Sequence, residues 1–144
     1  MRLPLFLLMG ALAGCGAAES MVGADAMRRI AGTWTLQSVN ASPLPTSSST
    51  GVETLSARFV ADRNGTFSLI SVVRIPTAAT PTEVATLESG RIYCGHAGCS
   101  PMLLLFNAIG SSEPAAPSAG VDVDVTDTTL TMHQQGSLQV YRRE

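Results

Sequence analysis

Apolar and polar residues alternate over short segments along most of this chain. The clearest segment is 121–125, in which three valines alternate with two aspartates. Successive side chains of a β-strand point to opposite faces, so the valines share one face and Asp122 and Asp124 share the other. Gly, Pro, Ser and Asn separate such segments, and no long window favours an amphipathic helix. The pattern predicts eight strands, at residues 33–40, 53–61, 66–75, 83–93, 100–107, 121–125, 129–133 and 137–143.

The connections between these strands alternate in length. Those after the first, third and fifth strands are long and rich in Pro and Ser, whereas those after the second, fourth and sixth are short. One short connection contains Asn64-Gly65, a strong hairpin signal because both residues tolerate positive φ. If sequential strands pair antiparallel, one end of the sheet carries long loops and the other carries tight turns. The sequence therefore predicts an all-β fold, a small antiparallel up-and-down β-barrel of about eight strands.

Alternation also assigns side chains to the inside of the predicted barrel. The expected bulky inward residues are Trp34, Leu36, Phe59, Phe67, Leu69, Leu87, Leu104, Phe106, Leu130, Met132 and Val140, and the expected small ones are Ala57, Ser71 and Ala85. The bulky set is large enough to fill a small barrel, so a filled barrel and a ligand-binding barrel both remain open. Ile70 and Val72 blur the alternation in their strand, whose outer face is either covered or in contact with a partner.

The pattern of the N-terminal residues predicts a targeting signal. Arg2 precedes a short apolar run that closes with Leu12-Ala13-Gly14-Cys15. This segment resembles the lipobox of bacterial lipoproteins, in which the signal peptide is cut before the cysteine and that cysteine receives lipid, including palmitate. The run is too short for a membrane span, which needs about 20 apolar residues. The alternative is a plain secretory signal in which Cys15 is incidental.

The resemblance divides the chain into three parts. Residues 1–14 are the expected signal peptide, residues 15–29 a lipidated cysteine and flexible tether with one helical turn near Met27, and residues 30–144 the barrel domain. The expected location is the bacterial cell envelope, with the protein attached to the membrane through the lipid. Since Gly16 is not aspartate, the best-known sorting rule implies the periplasmic side of the outer membrane, if the organism has one.

Charge excludes some partners. The formal net charge is −2, with nine arginines and no lysine, and 14% of residues are charged. This composition gives no sign of a nucleic-acid partner or of a polybasic membrane patch. No protein partner can be named from the sequence.

Two cysteines remain once Cys15 is assigned to lipid. Cys94 and Cys99 form an even pair in an exported protein, where disulfides persist, so we expect a disulfide across a tight turn. One alternative is a metal site made of two thiolates and His96, for which His133 is the other histidine available. A redox-active pair is a further alternative, although such pairs usually have Cys-x-x-Cys spacing.

Several segments resemble bacterial lipocalin-like domains. These are the Gly-x-Trp motif in residues 30–40, the following Pro43-Leu44-Pro45, and the last two predicted strands in residues 127–132 and 138–143. The resemblance implies a lipocalin-like barrel that takes a small apolar or amphiphilic ligand, of unknown identity and with unknown binding residues. META domains open with a similar Gly-Thr-Trp strand but continue with Gly-Cys-Asn, from which Gly98-Cys99-Ser100 departs.

The same resemblance implies a set of residues that closes one end of the barrel. In lipocalins an arginine near the last strand packs over the tryptophan of the Gly-x-Trp motif. The corresponding residues here are Gly32, Trp34 and Arg142, with Arg143 as a second choice and Arg28 or Arg29 as competitors. A guanidinium on an indole face contributes about 0.5–2 kcal/mol.

Catalytic motifs do not stand out in the sequence. The serines form neither a Gly-x-Ser-x-Gly elbow nor a Ser-x-x-Lys pair, and neither histidine has an evident partner. Asp122 and Asp124 offer too few oxygens for calcium, so we interpret them as a solvated face. We expect no cofactor, no metal and no enzyme activity. The function classes that remain are a ligand-binding module and an envelope interaction module with a filled core.

Overall fold

The computed structural model describes residues 16–77, 79–94, 99, 102–108, 120–134 and 136–144, and in its helix the side chains from Gly23 onward. One helix precedes ten strands. The elements are α1 (Gly16–Ile30), β1 (Gly32–Val39), β2 (Ser42–Pro43), β3 (Thr46–Ser47), β4 (Glu53–Ala61), β5 (Thr66–Ile75), β6 (Thr82–Cys94), β7 (Met102–Phe106), β8 (Val121–Val125), β9 (Thr129–Gln134) and β10 (Ser137–Arg143).

The sheet closes on itself. The strand order is β2-β1-β10-β9-β8-β7-β6-β5-β4-β3, and β1 also pairs with β4, so the eight long strands form a closed barrel. Every pairing is antiparallel, and the long strands follow one another around the barrel in chain order. The predicted fold class, a small up-and-down barrel of lipocalin-like form, is confirmed.

The eight predicted strands correspond to the eight long strands, with bounds that differ by at most two residues. The pattern did not predict β2 and β3, which have two residues each. Both lie in the first long connection, where β2 pairs with β1 and β3 pairs with β4. Backbone hydrogen bonding therefore folds this connection onto the rim of the barrel.

The two ends of the barrel differ as the connection lengths predict. Strand β1 starts, and β4, β6, β8 and β10 finish, at the end that contains Trp34. The tight β4–β5 turn lies there, and so does the short β8–β9 turn. The connections after β1, β5, β7 and β9 lie at the opposite end. We call these the closed end and the open end.

Large side chains fill the barrel from the closed end. The largest fully buried ones are Trp34, Tyr141, Phe59, Ile30, Leu104, Leu130 and Met132. The ring centroid of Phe67 lies 5.4 Å from that of Phe59 and 5.0 Å from that of Phe106. Contacts of this kind between aromatic rings stabilise a core beyond the area they bury.

Three inward assignments are wrong. Leu87 is 71% exposed and pairs with Ile70 on the outer face, and Ala85 lies on that face opposite Val72. Val140 pairs with Thr131 on the outside, whereas its neighbour Tyr141 points inward.

Gly90 explains which side chains of β6 point into the barrel. It lies opposite Phe67 on the inner face, and a Cβ at Gly90 would stand 2.1 Å from the carbonyl oxygen of Leu105 and 2.8 Å from the Phe67 ring. Since only glycine fits this close approach, Gly90 faces inward and fixes the alternation of the whole strand. Leu87 therefore lies on the outer face and Glu88 on the inner face.

The segment predicted as a flexible tether is helical. Helix α1 runs from Gly16 to Ile30, well beyond the single turn expected near Met27. Its last turn is held by the barrel, since Ala26 and Ile30 are buried in the core and the N–H of Ala31 donates to the carbonyl of Met27. Packing of this last turn against the barrel, which the local sequence does not reveal, stabilises the helix.

Candidate ligand-binding cavity

Arg143 and Trp34 close the barrel at the helix end. The guanidinium carbon of Arg143 lies 4.1 Å from the centroid of the Trp34 ring. The same guanidinium donates to the backbone carbonyls of Asp127 and Ala31 at 2.9 Å each, and to that of Arg29. One side chain therefore links the end of α1, the β8–β9 turn and the core tryptophan.

The expected role of Arg142 is wrong. Arg142 is exposed and pairs with Thr35 and Thr129 on the outer face. Arg143 lies opposite Trp34, so it shares the inner face with that residue. The predicted closing set Gly32, Trp34 and Arg142 is corrected to Gly32, Trp34 and Arg143.

The structure gives a physical reason for glycine in the Gly-x-Trp motif. Gly32 has φ +129, a conformation that side chains of other residues rarely tolerate, and a Cβ there would lie 3.0 Å from Nη1 of Arg143. The chain turns at this residue from α1 into β1. The indole Nε1 of Trp34 then donates to the carbonyl of Ile30 at 2.8 Å, which satisfies an end carbonyl of the helix.

The open end contains a cavity of about 920 Å³. Its floor and walls include the inward residues Leu36, Ala57, Ser71, Val73 and Gln139, from four different strands. The rim is rich in hydroxyl and amide groups, from Asn40, Ser42, Thr46, Ser47, Ser48, Ser49, Thr54 and Ser137. The small inward residues Ala57 and Ser71 were expected to leave space inside the barrel, and both lie on this cavity.

Tyr141 and Gln139 form a polar pair beneath the cavity. The hydroxyl of Tyr141 donates to Oε1 of Gln139 at 2.8 Å, and Gln139 in turn lines the cavity. Burial raises the pKa of Tyr141 well above its usual value, and the negative charge of Glu88 adds to this effect. The phenol is therefore held in its neutral, hydrogen-bonding form.

Glu88 belongs to the inner wall of β6. It lies directly opposite Leu69, whose buried side chain faces the core, and directly opposite residues of an antiparallel pair share a face. Its side chain is nevertheless exposed, because β7 pairs with β6 only from Gly90 to Cys94 and leaves the open-end part of β6 without this neighbour. The described residues that line the cavity include none from β6, so Glu88 is an exposed carboxylate outside the cavity lining.

Cys94 and Cys99 form a disulfide, with 4.5 Å between their Cα atoms, so the expected pairing is confirmed. Both sulfurs are used in this bond, and His96 lies outside the described residues. His133 is exposed on the outer face of β9, where Nε2 lies 3.2 Å from Oδ2 of the exposed Asp124. In the described part of the chain, no three or more His, Cys, Asp or Glu side chains are placed to hold a metal ion.

Asp122 and Asp124 are both exposed, as a solvated strand face requires, while Val121 and Val123 on the other face are buried.

The predicted lipobox with Cys15 falls outside the described residues. Within the part of the chain that the structure describes, no helix has both the length and the apolar character that crossing a bilayer requires.

Sequence reasoning ranked Arg143 below Arg142 and did not select Tyr141 or Glu88 as inward residues. Each lies one residue away from the position that the sequence favoured, which is Arg142, Val140 or Leu87. In a strand this displacement moves a side chain to the other face. The signal that could have found Glu88 is Gly90, which is two residues away on the same face.

Comparison with known proteins adds no assignment, because no protein-family model matches the chain and no significant relative is found among curated proteins.

Proposed function

We propose that this protein is a lipid-anchored lipoprotein of the bacterial envelope whose lipocalin-like barrel binds one small amphiphilic or apolar ligand. The observation that carries the binding part is the cavity of about 920 Å³ at the open end. Ligand sites in proteins usually measure about 300–1,000 Å³. The cavity therefore has room for one small molecule.

The lining suits a molecule with an apolar part and a polar part. Leu36, Ala57 and Val73 present apolar surface within the barrel, whereas serine and threonine side chains dominate the rim. An apolar group would gain free energy by leaving water at about 25 cal/mol per Å² buried. A polar group at the rim would keep hydrogen bonds to hydroxyl groups or to water.

Two features support the anchored part of the proposal. The segment Leu12-Ala13-Gly14-Cys15 resembles a lipobox. Helix α1 enters the barrel at its closed end, opposite to the cavity. An anchor on the N-terminal side of α1 would thus leave the mouth of the barrel away from the point where the chain enters it.

The test is native mass spectrometry of the protein purified from an exporting host, followed by solvent extraction. We expect one reproducible extra mass that extracts as a single compound. Ser71→Phe should remove it, because Ser71 lines the cavity. The matched control Ser68→Phe places the same ring on the outer face of the same strand and should retain the compound.

A second candidate, an envelope interaction module, is favoured by a different observation. Leu87 is 71% exposed and Ile70 is 44% exposed, and the two lie opposite each other on the outer wall. Large exposed apolar residues in contact are typical of surfaces that bind other molecules. If the purified protein has the mass of its polypeptide and lipid alone in repeated preparations, ligand binding is contradicted and this second function is favoured.

A further inference from the structure

Both carboxamide side chains that line the cavity have their oxygen atoms occupied by the protein. Oε1 of Gln139 accepts from the hydroxyl of Tyr141 at 2.8 Å, and Oδ1 of Asn40 accepts from the backbone N–H of Leu138 at 2.8 Å. Gln139 lies on the inner face of β10 and Asn40 lies at the rim of the cavity. In the described part of the chain, neither amide nitrogen donates to a protein acceptor. The cavity therefore offers amide donors that a ligand can use.

The orientation of each amide follows from the chemistry of its partner. The backbone N–H of Leu138 can only donate, so the atom of Asn40 that faces it is the oxygen. Tyr141 is buried, and its raised pKa, caused mainly by burial, keeps the proton on the phenol. This proton needs an acceptor, and among the described residues Oε1 of Gln139 is the one within hydrogen-bond distance. Because a reversed amide would leave the phenol proton unpaired, Nε2 is the end of Gln139 that remains for a ligand.

The described lining of the cavity is uncharged. It contains apolar, hydroxyl and amide side chains, and none of its described residues is acidic or basic. Arg74 and Glu53, near the same end of the barrel, pair with each other at 2.7 Å on the outer face. An ionised group that loses its hydration on entering such a lining finds no counter-charge there, so its entry costs free energy. An uncharged ligand avoids this cost.

We propose that the ligand of this cavity is an uncharged amphiphile whose carbonyl-type oxygen, as in a ketone, ester or amide, accepts a hydrogen bond from Nε2 of Gln139 while its apolar part packs on Leu36 and Ala57. This inference rests on the proposed function, since it names the chemical class of the ligand. It makes Gln139 the residue that determines specificity for an acceptor group. A second acceptor oxygen on the ligand would find Nδ2 of Asn40 at the rim.

The experiment compares probes that share a chain of octyl length and differ in one group. Hexyl methyl ketone carries an uncharged acceptor, a terminal octyne lacks a strong acceptor, and at neutral pH octanoate is anionic and octylamine cationic. Each is titrated into the isotope-labelled mature chain from residue 15, with Cys15→Ser to prevent lipidation, and its affinity is measured by NMR. We expect the ketone to bind more tightly than either charged probe. The ketone should also move the side-chain amide protons of Gln139 downfield, as a new hydrogen bond does, whereas the octyne should not.

The variant Gln139→Met keeps the length of the side chain and removes its amide. It should weaken binding of the ketone by about 5-fold, the value of one neutral hydrogen bond, without weakening binding of the octyne. The matched control is Gln37→Met on the neighbouring strand β1, where the side chain is exposed and does not belong to the cavity lining. This control removes the same amide and should leave the affinity for both probes unchanged.

The outcomes separate the two proposals. If probes bind but a charged probe equals the ketone, or if Gln139→Met does not weaken the ketone selectively, the inference about the ligand class is overturned and ligand binding stands. If none of the probes binds, ligand binding and the inference both fail. The comparison of head groups and the amide-proton shift of Gln139 use the unaltered cavity, so they decide the inference even if the Gln139→Met protein folds poorly.

Discussion

Replacing Trp34 by alanine tests the central claim about the closed end, that this residue stabilises the barrel. Trp34 has no exposed surface, and its indole contacts Arg143 on one face and donates to Ile30 at the helix end. Truncating a buried large aromatic costs about 3–5 kcal/mol. The lost hydrogen bond contributes about 1 kcal/mol and the cation–π contact about 0.5–2 kcal/mol, so we expect a value in the upper part of that range.

The assay is thermal and urea unfolding followed by far-ultraviolet circular dichroism. Fluorescence would not serve, because Trp34 is the single tryptophan of the chain and the variant lacks it. At about 4 °C per kcal/mol for a domain of this size, Tm should fall by roughly 16–20 °C. Trp34→Phe keeps an aromatic ring but loses the N–H that donates to Ile30. Its Tm should lie between that of the wild type and that of Trp34→Ala.

The matched control truncates a large apolar residue on the outside. Leu87 is 71% exposed, so Leu87→Ala should change the free energy of unfolding by less than about 0.5 kcal/mol. If Trp34→Ala unfolds at the temperature of the wild type, Trp34 does not belong to the core. If Leu87→Ala costs as much as Trp34→Ala, the inner and outer faces of β6 have been assigned wrongly.

Three other predictions concern single side chains. Cys15→Ser should move the protein from the membrane fraction to the soluble fraction without changing its melting curve, and a variant that stays with the membrane would contradict lipid anchoring. Arg143→Gln should cost about 2 kcal/mol through loss of the contacts to Trp34 and to backbone carbonyls, whereas Arg142→Gln should cost less than about 0.5 kcal/mol in the same denaturation assay. The raised pKa of Tyr141 means that the folded state favours the neutral phenol. The folded protein should therefore keep its full stability at neutral pH and lose free energy of unfolding as the pH rises beyond the ordinary tyrosine pKa of about 10. Tyr141→Phe should lessen that alkaline loss, whereas Tyr93→Phe, at a residue 41% exposed, should show the wild-type loss.

The strands and their order could be predicted because they depend on local signals. The alternation of residues 121–125 and the Asn64-Gly65 turn need no knowledge of the rest of the chain. The short β4–β5 turn forms as that signal predicts, with the N–H of Gly65 donating to the carbonyl of Asp62. The rule that connections alternate between the two ends then follows from antiparallel pairing alone. The buried strand residues Trp34, Phe59 and Leu130 were predictable for the same reason, whereas Tyr141 and Ile30 were not.

The facing of β6 and β10 could not be predicted from those signals. In β6 both sets of alternate residues contain apolar side chains, with Leu87 on one face and Ile92 on the other. The choice is made by Gly90, which must lie against Leu105 and Phe67, and both of these contacts are to other strands. Since the decisive contact depends on the pairing partner, local hydrophobicity chose the wrong face.

Helix α1 was missed for a related reason. Its residues are mostly small and follow no apolar period, so an isolated peptide of this sequence would not be a stable helix. The burial of Ala26 and Ile30 against the barrel supplies what the local sequence lacks. Arg143 adds a donor to the carbonyl of Arg29 near the end of the helix. The helix therefore depends on its packing against the folded barrel.

The cavity arises from a decrease in side-chain size along the inner face, from the closed end to the open end. In β4 the inward Phe59 lies nearer the closed end than Ala57, and in β5 the first inward residue, Phe67, lies nearer the closed end than Ser71. Aromatic side chains at the bottom bury enough surface to hold the barrel together, while small ones above leave space unfilled. Because stability is concentrated in the closed half, the inner residues of the open half are free to differ in size and charge. The open half can therefore hold a carboxylate such as Glu88 on the inner wall, whereas a filled core would have excluded it because burying an unpaired charge costs free energy.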